Sequence, residues 1–220
     1  MSRPQPAPGA STAGFVLAGG RSTRMGVDKA LVPFAGRLLV EHALEILRGA
    51  GLAASIAGAR SPLITFGPVV EDVEPGKGPL GGICAALAST AAQRAVFVPV
   101  DLPLLPSSLV AYLVRHAEIT GRAVTLASVA GFTQTFPAVV DQAALPWLKA
   151  ELSAGRLGCF AALEDAAAAL GERVGVIAVE ALVQSGSVCH PDGLPPARWF
   201  TNLNTPVDLR GVSRERDRVS

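Results

Sequence analysis

Residues 95–100, AVFVPV, form an unbroken apolar run that ends at Asp101. A strand without a polar face has to be covered on both sides, so this run belongs inside a layered sheet. A second such run, GFVLA at 14–18, leads into a glycine-rich loop. Around these runs the apolar spacing becomes helical. In GRLLVEHALEILRGAG (36–51), Val40, Ala43, Leu44 and Leu47 recur at i, i+3, i+4 and i+7, and Gly51 offers a stop. ASIAG (54–58) and GPVVEDV (67–73) read as weaker strands. Pro79 suits the first turn of a helix over 79–91. Further helices are expected at 107–119, 141–154 and 158–170, strands at 123–128 and 174–179, and an extended segment in GFTQTFPAVV (131–140). This alternation predicts an α/β, three-layer, Rossmann-like domain with a mostly parallel central sheet and helices on both faces.

Half of the 220 residues are hydrophobic and 17% are charged, enough for a sizeable core. The segment MSRPQPAPGAST is Pro/Ala/Ser-rich with no apolar stretch, so residues 1–12 are expected to be a disordered tail and not a signal peptide. The domain is expected over 13–210, with a charged tail, 211–220, after it. A net charge of +1 argues against nucleic acid as a partner and requires any anion site to be local. There is no run of about 18 apolar residues, so no membrane association is expected. Cys84, Cys159 and Cys189 are scattered and form no CxxC pair, which suits a reduced, cytoplasmic setting and supports neither disulfides nor zinc.

Ligands of such sheets bind beyond the carboxyl ends of the strands. That rule brings the 19–29 loop, the 72–81 turn and Asp101 to one edge. In LAGGRSTRMGVDKAL (17–31), Gly19 and Gly20 allow positive φ and close approach of backbone N–H groups, which can form an anion nest. Arg21, Arg24 and Lys29 add full charges that suit phosphate oxygens. The alternative is a plain turn with solvated cations, but the density of cations after a buried strand favours a phosphate site. It is not a Walker A loop, since GxxxxGK[ST] is absent. Asp101, opening DLPLLP (101–106), either caps the following turn or ligates magnesium, which takes one or two carboxylates with phosphates and water. Opposite a phosphate loop the metal reading is preferred. His42, His116 and His190 sit singly and read as surface or packing residues. No nucleophile–base pair can be built. A phosphate monoester needs none, because it is already mostly ionised at neutral pH, with a second pKa of about 6.

The stretches LAGGRSTRMGVDKAL, GPLGGI (78–83), DLPLLP and FTNLNTPVDL (200–209), in this order, resemble the molybdenum cofactor guanylyltransferases, a branch of the α/β nucleotidyltransferases. The resemblance spans roughly residues 13–210. It implies transfer of GMP from GTP to the phosphate of molybdopterin, with Mg2+ as cofactor and pyrophosphate released. It also implies that Leu17, Ala18, Gly19, Gly20 and Arg21 line the nucleotide, together with Gly78, Pro79 and Leu80. Lys29 would meet the phosphates and Asp72 would lie near the nucleoside. Arg24, Lys29 and Asp101 would be the catalytic set, with Asp101 holding magnesium. Asn202 and Asn204 would contact the pterin. Molybdoenzymes or cofactor-carrier proteins are the candidate protein partners.

Alternatives remain at this stage. Related cytidylyltransferases usually have alanine where this chain has Gly19, and one methyl is a slender basis for choosing GTP over CTP. A different phosphate acceptor would use the same machinery, and a silent binding module could keep the fold. GKGPLG (76–81) also fits GxGxxG literally, with Asp101 about 20 residues on, as in a dinucleotide-binding oxidoreductase. Pro79 inside that pattern and the broken strand before it weigh against this reading. Two departures from the family stand out. The second strand ends IAGAR (56–60) where asparagine is usual, and residues 183–198 look long.

Overall fold

A computed structural model describes residues 11–18, 28–58, 61–72 and 76–203 of the chain. Its elements in chain order are β1 (Thr12–Leu17), β2 (Pro33–Phe34), β3 (Arg37–Leu38), α1 (Leu39–Gly49), β4 (Ala54–Ala57) and β5 (Val69–Val70). Then come α2 (Gly78–Ser89), β6 (Arg94–Pro99), α3 (Ser107–Thr120), β7 (Val124–Val129), β8 (Phe132–Asp141), α4 (Leu145–Ser153) and α5 (Cys159–Ala169). The chain ends its described course with β9 (Gly175–Ala178), α6 (Val179–Gln184) and α7 (Pro196–Trp199).

The central sheet has seven strands in the order β5-β4-β1-β6-β8-β7-β9. Its β5–β4, β4–β1, β1–β6 and β7–β9 pairs are parallel, while β8 runs antiparallel to β6 and β7. The two apolar runs at 14–18 and 95–100 are thus neighbours at the middle of the sheet. Successive side chains of a strand face opposite ways, and both strands divide accordingly. Val16, Val96 and Val98 enter the core under α1 and α3. Phe15, Leu17, Ala95 and Phe97 enter the core under α2, α4 and α5. Burial on both faces is why neither strand alternates polar with apolar.

GFTQTFPAVV proves to be β8, joined to β7 by a tight hairpin. Ala130 and Gly131 at its turn have φ of 50° and 80°, the positive pair that a two-residue type I′ connection demands. The small β2–β3 hairpin turns on Ala35 and Gly36 in the same manner, with φ of 47° and 81°. Neither hairpin carries the Asn-Gly or Asp-Gly signal, so neither is expected from sequence. Helices α1 to α5 lie within a few residues of expectation, and Gly121, with φ of 68°, terminates α3. The 183–198 stretch takes in the end of α6 and the start of α7.

Candidate active site

The carboxyl ends of β1 and β6 set the geometry. Leu17 closes β1, and its carbonyl accepts from Val100 N at 3.2 Å. Ala18 N donates to the Ala57 carbonyl of β4 at 3.1 Å. The chain entering the glycine loop is therefore held between both neighbouring strands. Gly19, Gly20, Arg21 and Arg24 lie outside the described residues. The chain returns at Asp28, whose Oδ1 accepts from Ala30 N at 3.0 Å and caps a short turn over Lys29–Leu31. That cap presents Lys29 toward β6, and Lys29 Nζ reaches Asp101 Oδ2 at 2.8 Å. The two side chains are 18% and 24% exposed, so the pair is partly open to solvent rather than in the core.

Helix α2 packs against the same edge. A Cβ at Gly82 would stand 3.3 Å from Leu17 Cδ2 and 3.6 Å from the backbone of Gly58. Glycine there lets the helix settle directly on the ends of β1 and β4. A Cβ at Gly81 would lie 3.9 Å from the Asp72 carboxylate and 3.1 Å from Lys77 Cβ. Pro79 is exposed in the first turn and Gly78 is half-buried, whereas Leu80 is fully buried among the core side chains beneath α2. Asn202 is exposed beside this edge. The next residue, Leu203, is buried and donates its N–H to the Asp101 carbonyl at 3.0 Å. Asn204 lies outside the described residues. Leu17, Ala18, Lys29, Asp72, Gly78 and Asp101 thus lie at one edge of the sheet, beyond the carboxyl ends of β1, β4, β5 and β6.

The structure does not supply the context that the dinucleotide reading needs. GKGPLG follows β5, a two-residue strand at the sheet edge, and β4 and β1 separate β5 from β6, which delivers Asp101. A dinucleotide fingerprint needs its glycine loop after a central strand, with the acidic residue on a neighbouring one.

Asp72 Oδ1 is buried with no hydrogen-bond partner among the described residues. Burial raises its carboxyl above the ordinary aspartate value. The folded state therefore keeps this proton to higher pH than the unfolded chain does. The stability lost through the group accrues as pH rises from the ordinary value through the raised one, and persists above it. Asp72→Asn is expected to raise the melting temperature at pH 7 and to match wild type near pH 3, below the ordinary value of about 3.9. Melting curves of both proteins across that range check this. A destabilised variant at pH 7 would show that the carboxylate has a stabilising partner. Burial also pushes the Cys84 and Cys159 thiols up to about 11, which leaves both unreactive at neutral pH.

Comparison with known proteins places this architecture. Residues 14–174 match the MobA-like NTP transferase domain. The chain belongs to the MobA-like NTP transferase family. Its domain and fold are those of nucleotidyltransferase enzymes. The chain is 32% identical over 208 residues to the molybdenum cofactor guanylyltransferase of Rhizobium meliloti (strain 1021), covering 89% of this chain and 87% of that protein. It is 45% identical over 106 residues to the molybdenum cofactor guanylyltransferase of Xanthomonas euvesicatoria pv. vesicatoria (strain 85-10), a match that covers 48% of this chain and 54% of that one. That second match therefore spans about half the length of either protein. Among solved structures, molybdopterin-guanine dinucleotide biosynthesis protein A from Archaeoglobus fulgidus superposes with a TM-score of 0.74 at 21% identity, covering 94% of this chain and 99% of that one. The 2-C-methyl-D-erythritol 4-phosphate cytidylyltransferase of Thermus thermophilus superposes at 0.62 with 16% identity, covering 91% and 98%. These likenesses show a fold common to members with different names. Among the described residues, no helix is long and apolar enough to cross a membrane.

Proposed function

We propose that this transferase moves GMP from GTP onto the phosphate of molybdopterin and releases pyrophosphate. The observation that carries the reading is the pairing of Lys29, from the turn at Lys29–Leu31, with Asp101 just past β6, within a family whose relatives include molybdenum cofactor guanylyltransferases. An oxygen of the pterin phosphate attacks the α-phosphorus of GTP. The bond from that phosphorus to the bridging oxygen breaks, and pyrophosphate departs with the electron pair. No proton has to be removed first, because the attacking monoester is already mostly ionised. The protein has to hold two anions in line and neutralise them. Lys29 serves the triphosphate. The segment 19–27 supplies N–H groups and the Arg21 and Arg24 charges. Asp72 and the glycine face of α2 border the nucleoside.

The donor set fits magnesium rather than a metal caged by protein. Among the described residues no three acidic, histidine or cysteine side chains cluster, whereas Asp101 offers a single carboxylate at this edge of the sheet. Magnesium is satisfied by one or two carboxylates together with phosphates and water. When bound, it would neutralise charge on the transferring and leaving phosphates.

Asn202 and Asn204 are assigned to the pterin. Leu203 anchors between them with its side chain buried and its N–H on the Asp101 carbonyl. Asn202→Ala combined with Asn204→Ala is expected to weaken molybdopterin binding by roughly 1–3 kcal/mol per lost partner. GTP affinity should hardly change in calorimetry. Loss of GTP binding with acceptor binding intact would reverse the placement of the two substrates. The reaction itself is tested by pyrophosphate release with magnesium, comparing GTP and CTP in the presence and absence of molybdopterin. Release that requires GTP, magnesium and molybdopterin supports the reading. Preference for CTP, or release indifferent to molybdopterin, refutes it.

A further inference from the structure

The loop 101–106 that carries Asp101 is poorly equipped to hold itself. Pro103 and Pro106 have no N–H to donate. Among the described residues, the backbone bonds made by its own N–H groups are Leu102 N to the Pro99 carbonyl at 3.5 Å and Leu105 N to the Leu102 carbonyl at 3.2 Å. The carbonyls of Asp101 and Leu104 point elsewhere, and the long 183–203 stretch takes both. Leu203 N donates to the Asp101 carbonyl at 3.0 Å. His190 Nε2 lies 3.1 Å from the Leu104 carbonyl. Asp192 N donates to His190 Nδ1 at 3.0 Å, so Nδ1 is the acceptor and the ring proton sits on Nε2, aimed at Leu104. A third tie follows just beyond the loop, where Ser108 Oγ donates to the Cys189 carbonyl at 2.7 Å.

The stretch is itself anchored. Trp199 is 1% exposed and its Nε1–H donates to the Leu194 carbonyl at 2.7 Å. The His190 ring stands 6.1 Å from the Trp199 ring. Val188, Trp199, Phe200 and Leu203 share one core with Leu102, Leu104 and Leu105 of the loop. A surface loop without a role would have no reason to bury these side chains or to satisfy those carbonyls.

We propose that Ser185–Leu203 is a strap that fixes the Asp101 loop, and that His190 is its positioning residue, acting on Asp101 through the Leu104 carbonyl. The inference deepens the proposed reaction and rests on it for its kinetic readout alone. Electrostatic catalysis demands fixed charges, and displacement of such a group by about 1 Å can lower turnover about a hundredfold. Removing one tie of three should have a smaller effect.

The test compares wild type, His190→Ala and His190→Gln by amide hydrogen exchange and by steady-state pyrophosphate release from GTP, molybdopterin and magnesium. In His190→Ala, exchange at Leu102 and Leu105, whose N–H groups are bonded within the loop, is expected to accelerate about tenfold through local opening, with β1 and β6 exchanging as in wild type. Turnover should fall about tenfold with the GTP KM within about twofold, as loss of a transition-state interaction requires. Glutamine places an amide N–H where His190 Nε2 stands, so His190→Gln should recover most of both. Unchanged exchange at Leu102 and Leu105 would overturn the strap. Accelerated exchange with wild-type turnover, or uniform acceleration across the sheet, would overturn the positioning role. If wild type itself releases no pyrophosphate, the proposed reaction fails, and the exchange data still decide whether the strap exists.

Discussion

Asp101→Asn is expected to lower turnover by on the order of a hundredfold or more while the melting temperature stays close to wild type. Asparagine keeps the shape of the side chain and can still accept from Lys29 Nζ, which stands 2.8 Å from Asp101 Oδ2. What disappears is a full negative charge at the site assigned to magnesium and the triphosphate. A hundredfold corresponds to about 2.7 kcal/mol, within the range of electrostatic contributions to such transition states. The effect on folding should be small, because the pair is partly exposed and such pairs contribute about 0–1 kcal/mol. Pyrophosphate release at saturating magnesium, measured beside a melting curve, checks both halves. Turnover like that of wild type would remove Asp101 from the site.

Phe97→Ala is expected to show the opposite profile. Phe97 has no exposed surface, and its ring stacks on Phe15 of the adjacent strand with centroids 5.9 Å apart. Its removal leaves a cavity between the sheet and α2, at a cost of about 3–5 kcal/mol. For a domain of this size that corresponds to a fall of roughly 10 °C or more in melting temperature. Turnover per folded molecule at low temperature should be nearly kept, because Phe97 is fully buried within β6, short of the strand end that carries Asp101. Denaturant unfolding followed by fluorescence measures the loss. A change below about 1 kcal/mol would mean that this core can collapse around the gap.

Phe97 also shows why the middle of the fold was legible. Strands covered on both faces read as continuous apolar runs, so 14–18 and 95–100 declared themselves before any contact was known. Helix α1 did the same through its period and Gly51, and α2 through Pro79. The peripheral elements did not. Strand β5 has only Val69 and Val70, too short for any period to appear. The reversal of β8 depends on Ala130 and Gly131 turning with positive φ, and alanine is not a residue that advertises such a turn.

The site divides in the same way. Of its expected local part, Lys29 and Asp101 do meet, at 2.8 Å, while Gly19, Gly20, Arg21 and Arg24 lie outside the described residues. The α2 side was partly readable. GPLGG marked α2, but why glycine stands at 82 becomes plain only once Leu17 and Gly58 are seen beneath it. The strap was not readable at all. The partner of His190 is a carbonyl at Leu104, far away in sequence, and no periodicity links the two. A solitary histidine therefore reads as a surface or packing residue, and the long stretch 183–198 leaves an idle loop, a substrate lid and a partner contact equally open.

The most direct test of guanylyl transfer is to follow two labels. The enzyme is given magnesium, molybdopterin and GTP labelled at either the α- or the γ-phosphorus, and products are separated. The account predicts that the α label passes to the pterin product, whose mass rises by one guanylyl group, and that the γ label leaves in pyrophosphate. Retention of the α label in free GMP or GDP, or labelling of the pterin product from α-labelled CTP but not from α-labelled GTP, would contradict it.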